Sequence, residues 1–367
     1  PLQVAVNLTW MVPGRVGGSE EYLVRQLTGL PDADPFELTI YCQPAFGEAH
    51  PELSARFPVV PVPLRRDRRS TRILAEHTWL ASKTRSADLV HHGGGTAPMI
   101  GRRPIELTVH DLQYLRYPEY FGRGRHSYLD RMMPRSVARA AVVTGPSEYV
   151  KRTVVNAFDH PADNVVVVPH GGPDLVPPPA DQLSAPLGRD RLDDRPFEVD
   201  PAITHPHKGH KVLIDMVAHL DQEIVVVLVG GAGEAEADVG RAIAASPHAD
   251  RIVRTGRVAD LDRDALVAAA SALVFPSEYE GFGAPLVEAM VLDTPVVCGR
   301  AEAVTEVAGE AAVVVASQSP EAWAEAVGTA LADSDRLIEL GRVRRTAYTL
   351  ERSGESLAAA YRQACGT

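Results

Sequence analysis

Cysteine is scarce in this chain of 367 residues: Cys42, Cys298 and Cys365 are scattered and odd in number. That pattern argues against a disulfide framework and favours a reducing, cytoplasmic compartment. Long hydrophobic runs are also missing, because no stretch approaches the roughly 18 apolar residues of a membrane-spanning helix. The sequence therefore indicates neither a disulfide-rich secreted domain nor a protein with helical membrane spans.

Positive charge is in deficit, and the net charge of −11 argues against a general nucleic-acid binder. The deficit is uneven: residues 1–180 hold 20 Lys and Arg against 18 Asp and Glu, whereas residues 181–367 hold 17 against 30. Arginines concentrate in LRRDRRSTR (residues 64–72) and GRGRHSYLDRMMPR (residues 122–135). Two interpretations stay open for them: solvated faces, or a surface that meets an anionic acceptor or an acidic membrane.

The apolar residues are arranged for two α/β domains, which also fits the chain length. Short Val- and Ile-rich runs, such as QVAVNL and IELTVH in the first half and EIVVVLVG and ALVFPS in the second, alternate with amphipathic stretches. Continuous apolar strands with helices between them are typical of buried parallel sheets. The Pro- and Asp-rich residues 171–195 lack this periodicity and indicate a linker.

The stretch SEYEGFGAPLVEAM (residues 277–290) follows a predicted strand, where parallel sheets bind ligands. Glu280 precedes a glycine turn, and the proline after Ala284 predicts a helix whose first amides, around Phe282 and Gly283, suit a phosphate. Glu288 stands among apolar residues, where a carboxylate needs donors such as a ribose diol. A helix-capping Glu280 and an ion-paired Glu288 are the structural alternative.

The pattern S-x-x-EGFG-x-P-x-x-EAM, followed by TPVV and EVAGEAAVVV, resembles the E-x7-E segment of the family-four retaining glycosyltransferases, enzymes of the GT-B fold. The similarity runs through most of the chain and is sharpest at residues 273–315. It implies that Glu280 contacts hydroxyls of the donor sugar and that Glu288 holds the ribose. It also implies that the amides of Phe282, Gly283 and Ala284 lie against the donor's diphosphate and sugar.

A second candidate segment, THPHKGHKVLIDM (residues 204–216), follows the first strand predicted for the second domain. Lys208 opens a helix there and can neutralise a diphosphate and the charge that develops on its leaving group. The family carries an arginine six residues before this lysine, whereas Ala202 stands here. His205, His207 and Arg257 are the candidates to replace its charge.

Two patterns raise the question of a metal ion. His205, His207 and His210 could form a metal site, but no partner cluster of acidic residues or histidines is evident. Asp-x-Asp pairs bind divalent metals in the other major glycosyltransferase fold, and this chain has two, Asp32/Asp34 and Asp333/Asp335. Neither pair follows a predicted core strand, so both are expected to be solvated turns and no required metal is expected.

The first domain offers the motif PGRVGGSEEYL, in which Gly17 and Gly18 lie where a loop enters a helix and Ser19 is the expected N-cap. The resemblance implies that this loop approaches the diphosphate and the acceptor. The motif TVHDLQYL places His110 at the end of a strand, and the matching histidine of the family reaches the donor sugar. His92, after another strand, is a candidate acceptor contact. Packing is the alternative role for these glycines and histidines.

The fold predicted from the pattern and the resemblance is α/β of the GT-B type, with two facing Rossmann-like domains and a cleft between them. The expected parts are an acceptor-side domain at residues 1–172, a linker at 173–195 and a nucleotide-sugar domain at 196–348. In enzymes of this fold the last helix crosses back, which implies that residues from about 350 to 367 pack on the first domain.

The predicted activity is metal-independent transfer of a sugar, with retained configuration, from a nucleoside-diphosphate donor to a hydroxyl of a glycan, lipid-linked sugar or natural product. Glu280, His110 and Lys208 are the predicted catalytic residues, and no separate cofactor or nucleic acid is expected. Guanosine, uridine and thymidine donors all fit, with GDP-mannose preferred.

The expected location is the cytoplasm, with peripheral contact of the first domain at the inner membrane face as an option. The alternatives are a sugar-nucleotide 2-epimerase of the same fold and a non-catalytic nucleotide-sugar-binding module.

Overall fold

The computed structural model describes residues 1–15, 17–32, 36–63, 69–101, 104–173, 192 and 195–367. The predicted linker and the first part of the arginine-rich stretch LRRDRRSTR fall largely outside the described residues, as does Asp34. The chain divides into two compact units: Pro1–Gly171 together with Tyr348–Thr367, and Gly172–Ala347. Each unit is built around its own parallel sheet.

The first unit contains a seven-stranded parallel sheet in the order β3-β2-β1-β4-β5-β6-β7. Its strands are β1 (Leu2–Leu8), β2 (Phe36–Cys42), β3 (Val59–Pro61), β4 (Leu89–His92), β5 (Ile105–Thr108), β6 (Val142–Gly145) and β7 (Val165–Val167). The strands predicted for this half are confirmed. The inner strands are buried on both faces, which explains their continuous Val, Ile and Leu runs.

Helices cover both faces of this sheet. In the described residues they are Gly18–Thr28, Phe46–Ala49, Pro51–Arg56, Arg69–Ala75, a π-helical turn at Glu76–Leu80, Ala81–Lys83, Gln113–Arg116, Arg123–Arg139 and Glu148–Phe158, with 3₁₀ turns at Pro118–Tyr120 and Ala162–Asn164. Ser147 caps the last of these helices, since its hydroxyl accepts from the Val150 amide at 3.1 Å.

The C-terminal helix Leu350–Cys365 belongs to the first unit and closes its core. Its Gly354 meets the end of the first helix backbone to backbone, because a Cβ there would lie 1.9 Å from the Gly29 carbonyl carbon. The Tyr361 hydroxyl lies 2.7 Å from Nδ1 of His91 on β4. His91 Nε2 in turn lies 2.9 Å from the fully buried carboxylate of Glu106 on β5. This polar chain fixes the helix on the sheet.

The second unit contains a six-stranded parallel sheet in the order β10-β9-β8-β11-β12-β13. Its strands are β8 (Phe197–Pro201), β9 (Val225–Val229), β10 (Ile252–Gly256), β11 (Ala272–Phe275), β12 (Val296–Gly299) and β13 (Val313–Val315). The strands predicted for this half are confirmed as well. Two separate parallel sheets, each doubly wound, establish the predicted α/β class.

The helices of the second unit follow its strands. In the described residues they are His210–Met216, Glu236–Ala245, Asp260–Ala269, Ala284–Val291, Glu302–Ala308, Pro320–Ala332 and Ser334–Arg345, with 3₁₀ turns at Pro206–Lys208, Val217–His219 and Ala249–Arg251. Ser319 caps Pro320–Ala332 through the Ala322 amide. In neither unit does a described helix combine the length and apolarity that crossing a membrane requires.

Candidate functional site

The second sheet has its topological switch point between β8 and β11, which are neighbours although two strands separate them in sequence. From there the chain winds outwards in both directions, which leaves room for a ligand beyond the carboxyl ends of these two strands. Lys208 lies in the loop after β8, and Glu280 lies in the loop after β11. Strand order therefore brings together two residues that the sequence places 72 positions apart.

Lys208 and Glu280 form an ion pair at this point, with Nζ 2.5 Å from Oε1. The side chains keep 17% and 15% of their exposure, so solvent or a ligand still reaches the pair. The Ser277 hydroxyl donates to the same carboxylate oxygen. The Lys208 ammonium also lies 5.4 Å from the centre of the Phe275 ring. A cation held by one carboxylate and an aromatic face can be shared with a phosphate.

Backbone contacts hold the two loops in register. The Glu278 amide donates to the His207 carbonyl at 2.8 Å. Gly209, which separates Lys208 from the helix His210–Met216, has a φ of 72°, and a Cβ there would lie 2.7 Å from the Pro276 carbonyl oxygen. Only glycine allows that conformation and that close approach without strain. The Lys-Gly sequence is thus what lets the first loop lie against the second.

The glycine turn after Glu280 opens a helix as predicted. Gly283 is the N-cap residue, with a φ of 106°, and the helix Ala284–Val291 has its proline in the first turn. Because glycine has no side chain to cap the helix, the amides of this turn suit an anion. Phe282, beside the turn, is buried.

Glu288 is buried in that helix, with 6% of its surface exposed. Glu288 lies close enough to Asp264 to raise the pKa of its carboxyl group. Burial is the main cause that raises the pKa of Asp264, Glu288 raises it further, and the adjacent Arg263 guanidinium lowers it. Arg263 donates two hydrogen bonds to Asp264 Oδ1, at 2.9 and 3.0 Å, so the Asp264 carboxyl already has a cationic partner.

Two buried acidic side chains lie on β8, the strand that precedes the Lys208 loop. Glu198 and Asp200 lie two residues apart on β8, and both are fully buried. Burial raises the pKa of each to about 8, although Lys208 opposes the shift at Asp200. His210 Nε2 lies 3.4 Å from Asp200 Oδ2. These carboxyls are therefore largely protonated at neutral pH, and they add little negative charge beside the Lys208–Glu280 pair.

His207, one of the candidates after β8, does not supply the cation that Ala202 leaves missing. Burial is the main cause that lowers the pKa of His207 and of His210 to about 4, and the Lys208 charge lowers both further. The prediction that His207 could replace the arginine charge is therefore wrong at neutral pH. Among the described residues, no group of three or more His, Cys, Asp or Glu side chains is placed to hold a metal ion.

The glycine loop of the first unit follows β1. Gly17, with a φ of 62°, is the N-cap residue of Gly18–Thr28, so the prediction of Ser19 as the cap is wrong. Glycine takes the position because a positive φ suits it better than serine. A Cβ on Gly18 would meet nothing within 4 Å in this structure, so space is open above the helix start. Glu20 steadies the loop by accepting from the Gly14 amide at 2.8 Å.

His110 lies just beyond β5 and is oriented by one hydrogen bond. Its Nε2 lies 2.8 Å from the Gly93 carbonyl oxygen, which can only accept, so Nε2 carries the proton. Burial lowers the pKa of His110 to about 4, and the Gly93 contact opposes that shift only in part. The ring is therefore neutral at pH 7, and Nδ1 is left as an acceptor suited to a hydroxyl group.

A buried polar cluster at the ends of β1 and β4 was not predicted. His92, proposed as an acceptor contact, is buried, with its Nδ1 3.0 Å from Asn7 Nδ2. The Thr9 hydroxyl bridges the Asn7 amide oxygen and Glu76 Oε1 at 2.7 and 3.0 Å. Burial raises the pKa of Glu76 to about 7. Glu76 starts a π-helical turn, a feature common near functional sites, but only the folded chain reveals it.

Two family models match the chain. The model described as Glycosyltransferase Family 4 matches residues 16–172, and the model described as Glycosyl transferases group 1 matches residues 202–333. Between them they cover both units and both loops of the Lys208–Glu280 pair. The chain belongs to the family 4 glycosyltransferases. It is a sugar-transferring enzyme, and its two parallel sheets are those of the GT-B fold.

Relatives and solved structures agree with this assignment. O-antigen chain mannosyltransferase B of Escherichia coli is 26% identical over 275 residues, which is 73% of this chain and 72% of that protein. D-inositol 3-phosphate glycosyltransferase of Xylanimonas cellulosilytica is 31% identical over 58% of this chain, but the match spans only 53% of that relative. The crystal structure of Anabaena HepE in complex with UDP and glucose has a TM-score of 0.77 and 18% identity, covering 98% of this chain and 99% of that one. The last likeness concerns the fold.

Proposed function

We propose that this glycosyltransferase takes its sugar from a nucleoside-diphosphate donor and retains the anomeric configuration without a metal ion. The observation that carries the proposal is the Lys208–Glu280 pair at the switch point of the second sheet. It places one accessible ammonium beside the glycine-capped start of Ala284–Val291. Together these supply positive charge without a cation from solution.

The proposed donor contacts follow from this geometry. The diphosphate lies against Lys208 and the amides around Gly283 and Ala284, so the charge that builds on the leaving phosphate meets donors already in place. Glu288, buried one turn further, accepts from the ribose hydroxyls. Glu280 accepts from hydroxyls of the transferred sugar once the phosphate shares Lys208. With no nucleophile assigned, retention implies front-face attack, in which the leaving phosphate helps to deprotonate the acceptor.

The first unit is proposed to serve the neutral partners of the reaction. His110 offers an uncharged acceptor nitrogen to a donor-sugar hydroxyl, and the loop of Gly17 and Gly18 leaves open space at a helix start. Neither group adds a net charge. His110 suits a hydroxyl group of the sugar, whereas the helix start at Gly17 and Gly18 also suits the donor diphosphate, which this loop is proposed to approach.

The substrates proposed here are a nucleotide sugar and a sugar-containing or lipid-linked acceptor, with no separate cofactor and no nucleic acid. GDP-mannose is the first donor to test, because a curated relative is a mannosyltransferase by name. UDP-glucose is the second, because the Anabaena HepE structure contains UDP and glucose. The unpaired Cys42, Cys298 and Cys365 support work in the cytoplasm, and contact with the inner membrane face is part of the same proposal.

The decisive experiment is a thermal-shift panel of GDP, UDP and dTDP in the presence of EDTA. A ligand at 100 times its dissociation constant stabilises the folded state by about 2.7 kcal/mol. The cognate diphosphate is expected to raise the melting temperature, and the corresponding nucleotide sugar is expected to hydrolyse slowly. No shift with any of the three, or a shift that needs Mg²⁺, contradicts the proposal. The anomeric proton of a transfer product, followed by NMR, tests retention.

A further inference from the structure

A second cation lies at the carboxyl edge of the same sheet. Arg254, on β10, reaches across to the loop after β9. Its Nη1 donates to the Leu228 and Gly230 carbonyl oxygens at 3.2 and 2.7 Å, and its Nη2 lies 3.3 Å from the Gly231 carbonyl oxygen. The side chain keeps 15% of its exposure. One guanidinium thus covers three backbone carbonyl oxygens at the carboxyl end of β9 and in the loop that follows.

The same guanidinium is linked to the loop that carries Lys208. Arg254 Nη2 donates to Glu236 Oε2 at 2.9 Å, and the Thr204 hydroxyl donates to that oxygen at 2.5 Å. Thr204 also fastens the neighbouring loop, because its hydroxyl accepts from the Gly233 amide at 2.7 Å. Thr204 lies four positions before Lys208, so the chain Arg254–Glu236–Thr204 ends next to the proposed phosphate contact.

The electrostatics place Arg254 in the same local field as Lys208. Both cations lower the pKa of Asp200 against the larger effect of burial, and both lower the pKa of His210. Asp200 lies on β8 and His210 begins the helix His210–Met216, and both side chains are buried. Arg254 therefore acts on the same two buried side chains as Lys208, although it comes from another strand.

We infer that Arg254 is a positioning residue for the donor diphosphate: it neutralises the carbonyl edge of β9 and, through Glu236 and Thr204, holds the loop that presents Lys208. The inference rests on the proposed function. Without the guanidinium, the negative charge of the Glu236 carboxylate and of three carbonyl oxygens would stay uncompensated next to the loop that carries Lys208. Such a change should weaken diphosphate binding far more than binding of the uncharged nucleoside.

The chain offers a matched control in Arg251. Its guanidinium also covers carbonyl oxygens, those of Leu220, Asp221 and Ile224, but at the amino end of β9. Replacing either arginine with methionine removes a carbonyl-covering cation from the same strand region. A purely structural role predicts the same outcome for both, whereas the inference predicts a binding defect for Arg254→Met alone.

The experiment measures, by calorimetry, the affinity of each variant for the cognate nucleoside diphosphate and for its nucleoside, with melting temperatures in parallel. Arg254→Met is expected to weaken the diphosphate at least tenfold and the nucleoside less than threefold. Arg251→Met should lower the melting temperature while keeping the ratio of the two affinities at the wild-type value. Adding Glu236→Gln to Arg254→Met should recover part of the diphosphate affinity, because it removes an unpaired negative charge.

The outcomes separate the inference from the function on which it rests. If the wild-type protein binds the diphosphate but Arg254→Met keeps the wild-type affinity ratio, Arg254 has no part in the site and the inference is overturned. If the wild-type protein binds no nucleoside diphosphate, the proposed function itself fails. Should Arg254→Met not fold, Arg254→Gln decides, since glutamine keeps a polar side chain that can donate hydrogen bonds but carries no charge. A preserved affinity ratio there also overturns the inference.

Discussion

The carboxyl edges of the two sheets follow the same topology and carry opposite chemistry. At the edge of the first sheet, His110 and His92 are neutral, and burial keeps the pKa of Glu76 near 7. At the edge of the second, Lys208–Glu280 and Arg254–Glu236 are ion pairs with part of their surface exposed. In the proposed function, the neutral histidines of the first edge serve hydroxyl groups and the cations of the second serve a phosphate.

Net charge does not predict this division. The second half of the sequence holds the acidic excess, with 30 Asp and Glu against 17 Lys and Arg, yet it carries the two cations of the site. Near Lys208, burial keeps two of these acidic residues, Glu198 and Asp200, largely protonated at neutral pH, so they add little negative charge there. Where a charge lies and whether it ionises matter more than the sum over the domain.

The largest effect is expected from Lys208→Met. Removing the ammonium takes away the charge that stabilises the leaving phosphate, so transfer should fall about 10²- to 10³-fold and diphosphate affinity should fall as well. Lys211→Met is the matched control, because Lys211 is exposed and pairs with Asp215 on the surface.

His110→Ala should slow transfer without changing diphosphate affinity. Equal losses of diphosphate affinity in Lys208→Met and His110→Ala would contradict the proposed difference between the two sheet edges.

Glu288→Ala should come next in size. The carboxylate is buried and is proposed to accept from both ribose hydroxyls, bonds to a charged group worth about 1.5–3 kcal/mol each. The thermal shift caused by the nucleoside diphosphate should disappear at ligand concentrations that saturate the wild-type protein. Glu278→Gln, a change at an exposed neighbour of Glu280, should keep the full shift. An undiminished shift in Glu288→Ala would remove Glu288 from the ribose site.

A smaller change in the opposite direction is expected from Glu280→Gln. In the ion pair, the Glu280 carboxylate competes with phosphate for Lys208. The variant should bind the free nucleoside diphosphate about 5- to 10-fold more tightly, equivalent to about 1–1.4 kcal/mol, while transfer is lost with the sugar contact. Calorimetry on the variant and on Glu278→Gln measures this. Weaker binding of the diphosphate would show that the pair does not oppose the ligand.

The last prediction concerns stability rather than activity. The folded-state pKa of Asp200 is about 8 against an ordinary value of 3.8, so between these values the folded chain holds a proton that the unfolded chain has lost. This group therefore makes the protein less stable as pH rises from about 4 to 8, with no further loss above. Urea unfolding at pH 5, 7 and 9 should show a flatter dependence for Asp200→Asn. The exposed Asp215→Asn should follow the wild-type curve, and an equally steep curve for Asp200→Asn would contradict the shift.

Much of this architecture could be predicted because its signals are local. Val and Ile runs mark the strands, and the proline after Ala284 marks the helix start. The Lys208–Glu280 contact could not be derived from local patterns, since it depends on strand order. The family resemblance implied a donor role for both residues but not their contact. Arg254 was missed because its partners are backbone carbonyls on another strand. Ser19 was misplaced as a cap because a preceding glycine with positive φ took that position.

The return of Leu350–Cys365 to the first unit has a consequence for biosynthesis. Leu357, Ala358, Ala360, Tyr361 and Ala364 are part of the apolar cluster that starts with Val4 and Val6. The ribosome makes the first segment of this unit, up to Gly171, and then the whole second unit before it makes this helix. At 5–20 residues per second, the wait is on the order of ten to forty seconds. During that time the apolar cluster of the first unit lacks the side chains that this helix contributes, so the first unit cannot complete its core until Leu350–Cys365 has been made.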